Sequence, residues 1–412
     1  MYKKIGIIRE GKVPADRRVA MTPEQCVQAM KKHRGIDLVV QSSPDRAFKD
    51  KEYEDHGIRV VHDIDDRELL IGVKEVPVDM LLQDKTYLFF SHTIKKQPYN
   101  RKLLRAILDK RITLLDLELL TDQEGHRVIA FGRWAGIVGA YNAFRTWQAL
   151  HGGLGLRPAH DCHDRVEMEA ELAEYRIPAD LRLVITGNGR VAHGAMEVLD
   201  KRGLRRVAPE AFLSQTFDGA VYTVLDTSHI YTSRNGEAFS REAFRKDPGA
   251  FRSAMSPYLR KAHMYLACHF WQPGGPMIVD REQLQDPLRR VEVIADISCD
   301  IGQPVASTVR ASTIAEPIYG YDPSTGTECA VGQAGSVAVM AVDNLPCELP
   351  RDASTAFGRD LLDKVLSELV KGEASAMVQR ATIASQGVLK ERFAYLQEWV
   401  DTPIVGSGTQ AG

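Results

Sequence analysis

The stretch that most constrains how this chain can fold is a strand–turn–helix pattern over residues 181–203, LRLVITGNGRVAHGAMEVLDKRG. An apolar run leads into Gly187-Asn188-Gly189, and an amphipathic segment follows. Glycines at these positions permit a tight turn and let a pyrophosphate approach the amino end of the following helix. A bare GxGxxA pattern also occurs in ordinary βα turns. Its place between a strand and a helix favours a dinucleotide-binding unit.

The nucleotide contacts predicted from this unit extend beyond the glycine turn. The acidic residue that binds the ribose hydroxyls is expected roughly 20 residues past the glycines, and Glu210 lies there, after a predicted strand at 205–209. In the same strand, Arg205 or Arg206 could instead meet a 2′-phosphate. The choice between NAD and NADP therefore stays open. At the turn itself the predicted contacts are Gly187, Gly189, Arg190 and Val191.

Apolar runs alternate with helical segments along most of the chain, which is typical of parallel sheets built from βαβ units. This pattern predicts an α/β protein. Toward the carboxyl terminus, residues 354–371 and 373–399 have helical periodicity, with Ser354 as the cap of the first helix. The predicted strands include KIGIIR, IDLVVQ, GIRVV, LLIGVK, YLFF, ITLLDLELL, VYTVLD, MYLACHF and VEVIADIS.

A candidate catalytic group follows one of these predicted strands. Residues 87–90 form a short aromatic and apolar run, which is typical of a buried strand in a parallel sheet. His92 comes just after this run, with Lys95 and Lys96 nearby, at the edge where such sheets bind ligands. An imidazole beside two ammonium groups suits an anionic substrate that exchanges a proton near neutral pH. A structural histidine is the alternative interpretation.

Charge and composition argue against several classes of partner. The chain of 412 residues has a net charge of -2 and no long basic block, so neither nucleic acid nor an anionic membrane surface is a predicted partner. No apolar run approaches the roughly 20 residues that cross a bilayer. The six cysteines lack CxxC spacing, and a predicted strand near Lys4 leaves no room for a signal peptide. A cytoplasmic location is therefore expected.

One loop invites interpretation as a metal site. His160, Cys162 and His163 lie within the sequence HDCHD. All of these groups belong to one short loop, and no second ligand group occurs at the spacing typical of zinc sites. We therefore predict no bound metal.

Eight motifs occur in order along nearly the whole chain, and together they resemble the saccharopine dehydrogenases that form L-lysine. SHTIKKQ is similar to the lysine–2-oxoglutarate reductase half of the bifunctional lysine-degrading enzyme. The chain is more distantly similar to alanine dehydrogenase and to the nucleotide-binding domains of transhydrogenase. The motifs are RE…DRRVAMTP, GVKEVP, YLFFSHTIKKQ, LDLELL, RVIAFGRWAG, GNGRVAHGA, ADISCD and DNLPCELPRDAS.

The resemblance implies roles for individual residues. A lysine and a histidine act as acid–base groups in that family, and they correspond to Lys74 and His92. The acid near the catalytic lysine corresponds to Glu118, and Asp300 falls where the alanine dehydrogenase relatives have an acid beside the nicotinamide. The cations expected to bind substrate carboxylates are Arg17, Arg18, Lys95 and Arg133.

The resemblance also implies an overall organisation. We expect two Rossmann-like domains with the active site in the cleft between them. The substrate domain would comprise residues 1–138 and 335–412, and the dinucleotide-binding domain residues 139–334. The expected reaction interconverts saccharopine with L-lysine and 2-oxoglutarate, using NAD or NADP, in a monomer or a homo-oligomer.

Two alternatives remain at this stage. The chain could be a related amino-acid or opine dehydrogenase that joins another amine, or ammonia, to a 2-oxo acid. It could also be a catalytically silent nucleotide-binding module. The presence of Lys74, His92 and GNGRVA together favours an enzyme, since a silent relative need not keep all three.

Overall fold

The computed structural model describes residues 2–152 and 155–402. Most of the predicted strands are present. The strands are β1 (Lys4–Ile7), β2 (Asp37–Gln41), β3 (Arg59–Val61), β4 (Leu69–Ile71), β5 (Thr86–Phe89), β6 (Thr113–Asp116), β7 (Arg182–Thr186), β8 (Arg205–Arg206), β9 (Val221–Leu225), β10 (Tyr231–Ser233), β11 (Phe251–Ser253), β12 (Met264–Ala267), β13 (Val293–Asp296), β14 (Ile318–Asp322), β15 (Thr327–Cys329), β16 (Val337–Met340), β17 (Thr382–Ser385) and β18 (Val388–Leu389).

The helices alternate with these strands in the way that βαβ units require. They are α1 (Pro23–Lys32), α2 (Asp50–Asp55), α3 (Arg101–Asp109), α4 (Gly132–His151), α5 (Arg165–Glu174), α6 (Arg190–Lys201), α7 (Pro209–Ser214), α8 (Thr227–Ile230), α9 (Arg241–Lys246), α10 (Ser256–Leu259), α11 (Arg281–Gln285), α12 (Pro350–Asp360), α13 (Leu366–Lys371), α14 (Ala376–Ala381) and α15 (Gln397–Asp401).

The chain divides into two compact units. The first runs to Ala130 and resumes at Pro350, and the second comprises Phe131–Leu349. The family resemblance places the domain boundaries at 138/139 and 334/335. In the structure the second unit is longer at both ends and contains the whole of α4 and the strand β16. β16 pairs with β13 and β14, and these hydrogen bonds attach residues after 334 to the second sheet.

The first unit contains an eight-stranded sheet with the order β18-β17-β6-β5-β4-β1-β2-β3. Strands β1 to β6 pair in parallel, as predicted from their alternation with helices. Their apolar side chains are buried on both faces, for example in β4 and β5. The carboxyl ends of β4, β5 and β6 are therefore neighbours at one edge of this sheet.

The carboxyl-terminal segment corrects two predictions. The segment 373–399 is not one helix, because β17 pairs antiparallel with β6 and β18 pairs with β17. Ile383 is completely buried in the core of the first unit, so tertiary burial overrides the helical periodicity. The preceding helix begins at Pro350, and Ser354 lies inside it. The Ser354 hydroxyl donates to the Pro350 carbonyl oxygen and accepts from the Val19 amide, so Ser354 is not a helix cap.

The second unit contains an eight-stranded sheet with the order β15-β14-β16-β13-β12-β7-β9-β8. Its central strands are parallel, and only β14 and β15 run antiparallel to their neighbours. The neighbour of β7 is β9, although β8 comes first along the chain. This strand order decides which side chains lie next to the glycine turn that follows β7.

Candidate functional site

The carboxyl edge of the first sheet contains the predicted acid–base groups. Lys74 follows β4, and His92 follows β5, which is hydrogen-bonded to β4 along its length. Glu118 follows β6, the next strand of the sheet. Three neighbouring parallel strands thus place Lys74, His92 and Glu118 at one edge, which is where α/β sheets bind their ligands.

His92 has a defined orientation. Its φ of 52° places it in the left-handed region, which few residues other than glycine adopt. The ring atom Nδ1 lies 2.5 Å from Oε1 of Glu75, and the ring stacks on Phe90 with centroids 6.1 Å apart. Because a partner occupies Nδ1, Nε2 is the nitrogen that could exchange a proton with a substrate.

Glu75 is a functional candidate that the sequence analysis missed. Its other oxygen, Oε2, lies 3.3 Å from Nζ of Lys12. Burial acts to raise the pKa of Glu75, but the hydrogen bond to His92 and the charges of His92 and Lys12 lower it to about 2. The side chain is therefore a carboxylate at neutral pH. Its position directly after Lys74 in the motif GVKEVP was the available signal.

A buried acid holds the backbone at Lys74. The Val73 and Lys74 amides donate to the two carboxyl oxygens of Glu10, at 2.7 and 2.8 Å. Burial, followed by the charge of Asp16, raises the pKa of Glu10 to about 8. Glu10 therefore keeps its proton at neutral pH and fixes the chain where β4 ends. It also was not singled out from the sequence.

The loop after β6 is tied to the loop after β5. The completely buried Asp116 accepts hydrogen bonds from the Ser91 amide and hydroxyl through Oδ2, and from the Glu118 amide through Oδ1. Glu118 in turn lies 3.1 Å from Nζ of Lys95 and 3.5 Å from Nη1 of Arg127. These contacts bring the predicted residues Lys95 and Glu118 together as an ion pair.

The predicted substrate-binding arginines occupy three different environments. Arg18 is only 2% exposed, and its guanidinium binds both carboxylate oxygens of Asp16, with Nη2 to Oδ2 at 2.6 Å. Arg17 is exposed. Arg133 lies on α4 in the second unit and forms a two-pronged ion pair with Glu197, at 2.6 Å for each contact. The structure therefore groups Arg133 with the second unit rather than with Arg17 and Arg18.

The glycine turn follows β7 in the second unit, as predicted. Gly187 has a φ of 93°, and a Cβ at this position would lie 2.6 Å from the Cys268 carbonyl oxygen. A larger residue would therefore clash with the chain after β12. Gly189 precedes α6, whose first residue is Arg190. The exposed amino end of this 12-residue helix suits a pyrophosphate group.

A cavity of about 1170 Å³ opens at this turn within the second unit. Its lining includes Asp300. The loop just before Asp300 is held by Asp296, whose carboxylate accepts hydrogen bonds from the Ser298 and Cys299 amides. His269, Arg241 and Arg245 also contribute to the lining. The predicted nucleotide contacts in the lining are Gly187, Gly189, Arg190, Val191 and Asp300.

A second acid competes with Glu210 for the predicted ribose contact. Glu210 lies on α7 after the outer strand β8, and it is not among the residues that line the cavity. Asp226 directly follows β9, the strand that neighbours β7, and it does line the cavity. The two acids differ in place because β8 and α7 come before the strand that pairs with β7. The signal was the apolar run VYTVLD, which ends in this acid.

Asp226 also caps α8. Its Oδ1 accepts from the Ser228 amide and hydroxyl and lies 2.8 Å from Nδ1 of His229. These contacts, acting against burial, lower the pKa of Asp226, so a carboxylate contributes to the lining of this cavity. These contacts all involve Oδ1, so Oδ2 is the oxygen available to ribose hydroxyls.

Two side chains of the loop HDCHD have partners within the protein. His160 lies 3.8 Å from Oε2 of the buried Glu348, which raises the pKa of His160, and the Cys162 thiol contacts the Pro158 carbonyl oxygen. Within residues 2–152 and 155–402, no helix combines the length and apolar character needed to span a membrane.

Comparison with known proteins confirms the resemblance predicted from the sequence. Residues 6–138 match the family described as "Alanine dehydrogenase/PNT, N-terminal domain". A "Saccharopine dehydrogenase [NAD(+), L-lysine-forming]" from Neurospora crassa is 28% identical, over 85% of this chain and 88% of that protein. An "Alpha-aminoadipic semialdehyde synthase" from Arabidopsis thaliana is 29% identical over 95% of this chain, which spans 41% of that relative's length.

A solved structure confirms the fold. An L-alanine dehydrogenase superposes with a TM-score of 0.64 and 17% identity, covering 96% of this chain and 98% of that one. The predicted α/β class with two mostly parallel sheets is therefore confirmed. The chain is similar over most of its length to a saccharopine dehydrogenase, and over residues 6–138 to the alanine dehydrogenase/PNT family.

Proposed function

We propose that this chain is an NAD(P)-dependent oxidoreductase that interconverts saccharopine with L-lysine and 2-oxoglutarate. The observation that carries the proposal is the hydrogen-bonded pair of His92 and Glu75 at the carboxyl edge of a parallel sheet. Glu75 directly follows Lys74 in the chain. The names of the relatives support the substrate class.

The proposed reaction needs two proton transfers. The ε-amine of lysine attacks the keto carbon of 2-oxoglutarate, water departs, and the resulting imine is reduced. Bound reduced nicotinamide supplies the hydride. We propose that Lys74 takes the proton from the attacking amine and that Nε2 of His92 gives a proton to the departing hydroxyl. Two groups in different surroundings suit this division of acid and base work.

The carboxylates of the substrates require cations at the same edge. Saccharopine carries three carboxylates, and Lys95 and Arg17 present exposed positive groups in the first unit. Lys95 is held at 3.1 Å from Glu118, so its ammonium group has a defined position. Arg18 and Asp16 form a buried pair that supports the loop beside Arg17. We propose Lys95 and Arg17 as direct ligands of the substrate carboxylates.

The second unit fits a dinucleotide. The positive φ of Gly187 permits the tight turn beside Cys268, and a Cβ on Gly189 would meet no atom within 4 Å, so the backbone at Gly189 is open to a pyrophosphate. The residues that would hold the nucleotide are Gly187, Gly189, Arg190, Val191 and Asp226. The preferred nucleotide, the oligomeric state, the cytoplasmic location and an active site between the two domains stay predictions.

A coupled assay tests the proposal. Oxidation of NADH and of NADPH is followed with lysine plus 2-oxoglutarate, and in parallel with ornithine, alanine or ammonium in place of lysine. We expect turnover with lysine, and Lys74→Met should abolish most of it while leaving nucleotide affinity intact. Lys31→Met is the matched control, because Lys31 is an exposed lysine on α1 of the same unit. Activity with ammonium alone would reject lysine as the substrate.

A second candidate deserves the same assay. The match of residues 6–138 to the alanine dehydrogenase/PNT family favours a relative that joins ammonia to a 2-oxo acid. Such an enzyme would use the same acid–base edge with a smaller amine. Nucleotide binding without turnover on any amine would instead favour a silent nucleotide-binding module.

A further inference from the structure

His269 is a buried histidine at the nucleotide cavity that the proposed mechanism does not use. It follows β12 and is 8% exposed, yet it contributes to the cavity lining. Its Nε2 is buried and has no hydrogen-bond partner among the described residues. A buried polar atom without a partner costs free energy, so it calls for a physical explanation.

The neighbours of His269 decide which ring nitrogen carries the proton. Nδ1 lies 2.7 Å from the Thr186 hydroxyl, and that hydroxyl lies 2.9 Å from the Tyr265 hydroxyl. If Tyr265 donates to Thr186, Thr186 can donate to Nδ1, and both hydroxyl protons have acceptors. The reverse direction would leave the buried Tyr265 proton without an acceptor. The chain of hydroxyls therefore places the imidazole proton on Nε2, which becomes a hydrogen-bond donor.

Burial keeps this donor neutral. Desolvation lowers the pKa of His269 to about 3, and burial raises the pKa of Tyr265 well above its usual value. Neither group changes its protonation in the physiological range. An N–H donor that does not titrate can bind a phosphate or ribose oxygen with a strength that is independent of pH.

The position of His269 identifies the ligand. The Cα of His269 would lie 2.8 Å from a Cβ placed on Gly187, so the residue is next to the turn that suits a pyrophosphate. It follows β12, on the side of β7 away from β9 and Asp226. In dinucleotide-binding folds the acid that follows the strand next to β7, here Asp226 after β9, binds the adenosine ribose. His269 lies on the opposite side of β7, which is therefore the nicotinamide side.

We propose that Nε2 of His269 donates a hydrogen bond to an oxygen of the nicotinamide-side ribose or phosphate of the bound dinucleotide. This inference rests on the proposed function, because it requires that the cavity binds NAD or NADP. It adds a binding residue outside the glycine turn, and it explains the partnerless atom.

The test measures nucleotide affinity in three variants of the full chain. Dissociation constants for NADH, NADPH and AMP are measured by calorimetry for wild type, His269→Leu, His269→Gln and His263→Gln. His263 is the matched control, since it precedes the same strand, is 9% exposed, and has polar neighbours at both ring nitrogens, Arg182 N at 3.1 Å and Arg290 Nη2 at 2.7 Å.

We expect His269→Leu to raise the dinucleotide Kd about tenfold, the typical effect of losing one hydrogen bond. His269→Gln, which keeps an N–H donor, should have a smaller effect, and His263→Gln should stay within twofold. AMP, which lacks the nicotinamide side, should bind equally to all four proteins. Unchanged dinucleotide affinity in His269→Leu, or an equal loss of AMP binding, would overturn the inference.

The outcome separates this inference from the proposed function. If wild type binds neither dinucleotide, the proposed function fails. If wild type binds and His269→Leu binds equally well, only the role of His269 fails. Should His269→Leu not fold, the imidazole N–H proton of wild type is observed by NMR with labelled histidine. A changed Nε2–H chemical shift on adding dinucleotide supports the role, and an unchanged one rejects it.

Discussion

His92 follows β5 in the first unit, and His269 follows β12 in the second, so each lies past the carboxyl end of a parallel strand. Their surroundings are opposite. His92 has a carboxylate, Glu75, at 2.5 Å from Nδ1, and Lys12 lies beyond that carboxylate. His269 has a neutral hydroxyl, Thr186, at 2.7 Å from Nδ1.

Strand order therefore determines where a side chain lies, whereas the groups that contact this side chain determine its chemistry. The Glu75 carboxylate fixes Nδ1 of His92, which leaves Nε2 as the ring nitrogen that the proposed reaction would use. A buried hydroxyl chain offers no such charge, so His269 stays neutral. The edge of the first sheet is suited to proton transfer, and the edge of the second to binding.

The largest expected effect tests the catalytic half of this comparison. His92→Gln keeps a polar side chain but removes the titratable group, so kcat should fall by a factor of about 10² to 10⁴. His269→Gln should leave kcat within about twofold and alter nucleotide binding. The two kcat values, measured at saturating nucleotide, provide the check. Equal losses of kcat in both variants would break the distinction between the two edges.

The next prediction concerns the buried Glu10. The unfolded chain releases the Glu10 proton near pH 4.5, whereas the folded chain keeps it until about pH 8. The free energy of unfolding of wild type should therefore fall as the pH rises between these values, by up to about 1.4 kcal/mol per pH unit from this group.

Glu10→Gln removes the titration, so the stability difference between wild type and variant should change by about 3 kcal/mol between pH 5 and pH 8. Urea unfolding at several pH values measures this slope. His269 has a lowered pKa, so His269→Gln should alter the pH dependence only on the acid side, below about 6.5. A constant difference for Glu10→Gln across this range would show that Glu10 is ionised in the folded chain.

A smaller effect is expected from the residue that orients His92. Glu75→Gln keeps the shape of the side chain and removes its charge, so kcat should fall about tenfold, the scale of a weakened charge-assisted hydrogen bond. Thr186→Val removes the corresponding partner of His269 and should raise the nucleotide Kd without lowering kcat. Steady-state kinetics at saturating substrates separates the two, and an unchanged kcat in Glu75→Gln would remove Glu75 from the mechanism.

An effect of similar size, confined to one nucleotide, concerns selectivity. Asp226→Asn should raise the KM for NADH about tenfold and affect NADPH less, since a ribose-binding carboxylate favours the nucleotide without a 2′-phosphate. Glu210→Gln should change neither constant by more than about twofold, because Glu210 lies after the outer strand β8. The reverse result would restore Glu210 as the ribose-binding acid.

Local sequence patterns were enough to predict where several residues of the candidate site lie. The turn at Gly187 and Gly189 was predicted from glycine spacing after an apolar run, because a tight βα turn has local steric requirements. Lys74 and His92 were placed at strand ends by the apolar runs that precede them. Their roles came from family resemblance, and they stay predictions until variants are assayed.

Other members of the site depend on contacts between distant segments. Glu10 reaches the amides of Val73 and Lys74 from more than sixty residues away along the chain, and no local pattern reports such a contact. The helical periodicity of residues 373–399 gave a wrong prediction because a distant strand pairs with this segment. Pairing of β17 with β6 buries this segment as a strand, and such long-range burial outweighs weak local propensity.

The α/β class, the glycine turn and the strands that precede Lys74 and His92 could be predicted from the sequence alone, because they follow from local periodicity and backbone sterics. Only the tertiary structure decided that β9 rather than β8 neighbours β7. That pairing places Asp226, and not Glu210, in the cavity lining, and the neighbouring β12 places His269 beside the turn. Strand order depends on pairings between residues far apart in the chain, so it cannot be read from any single stretch of it.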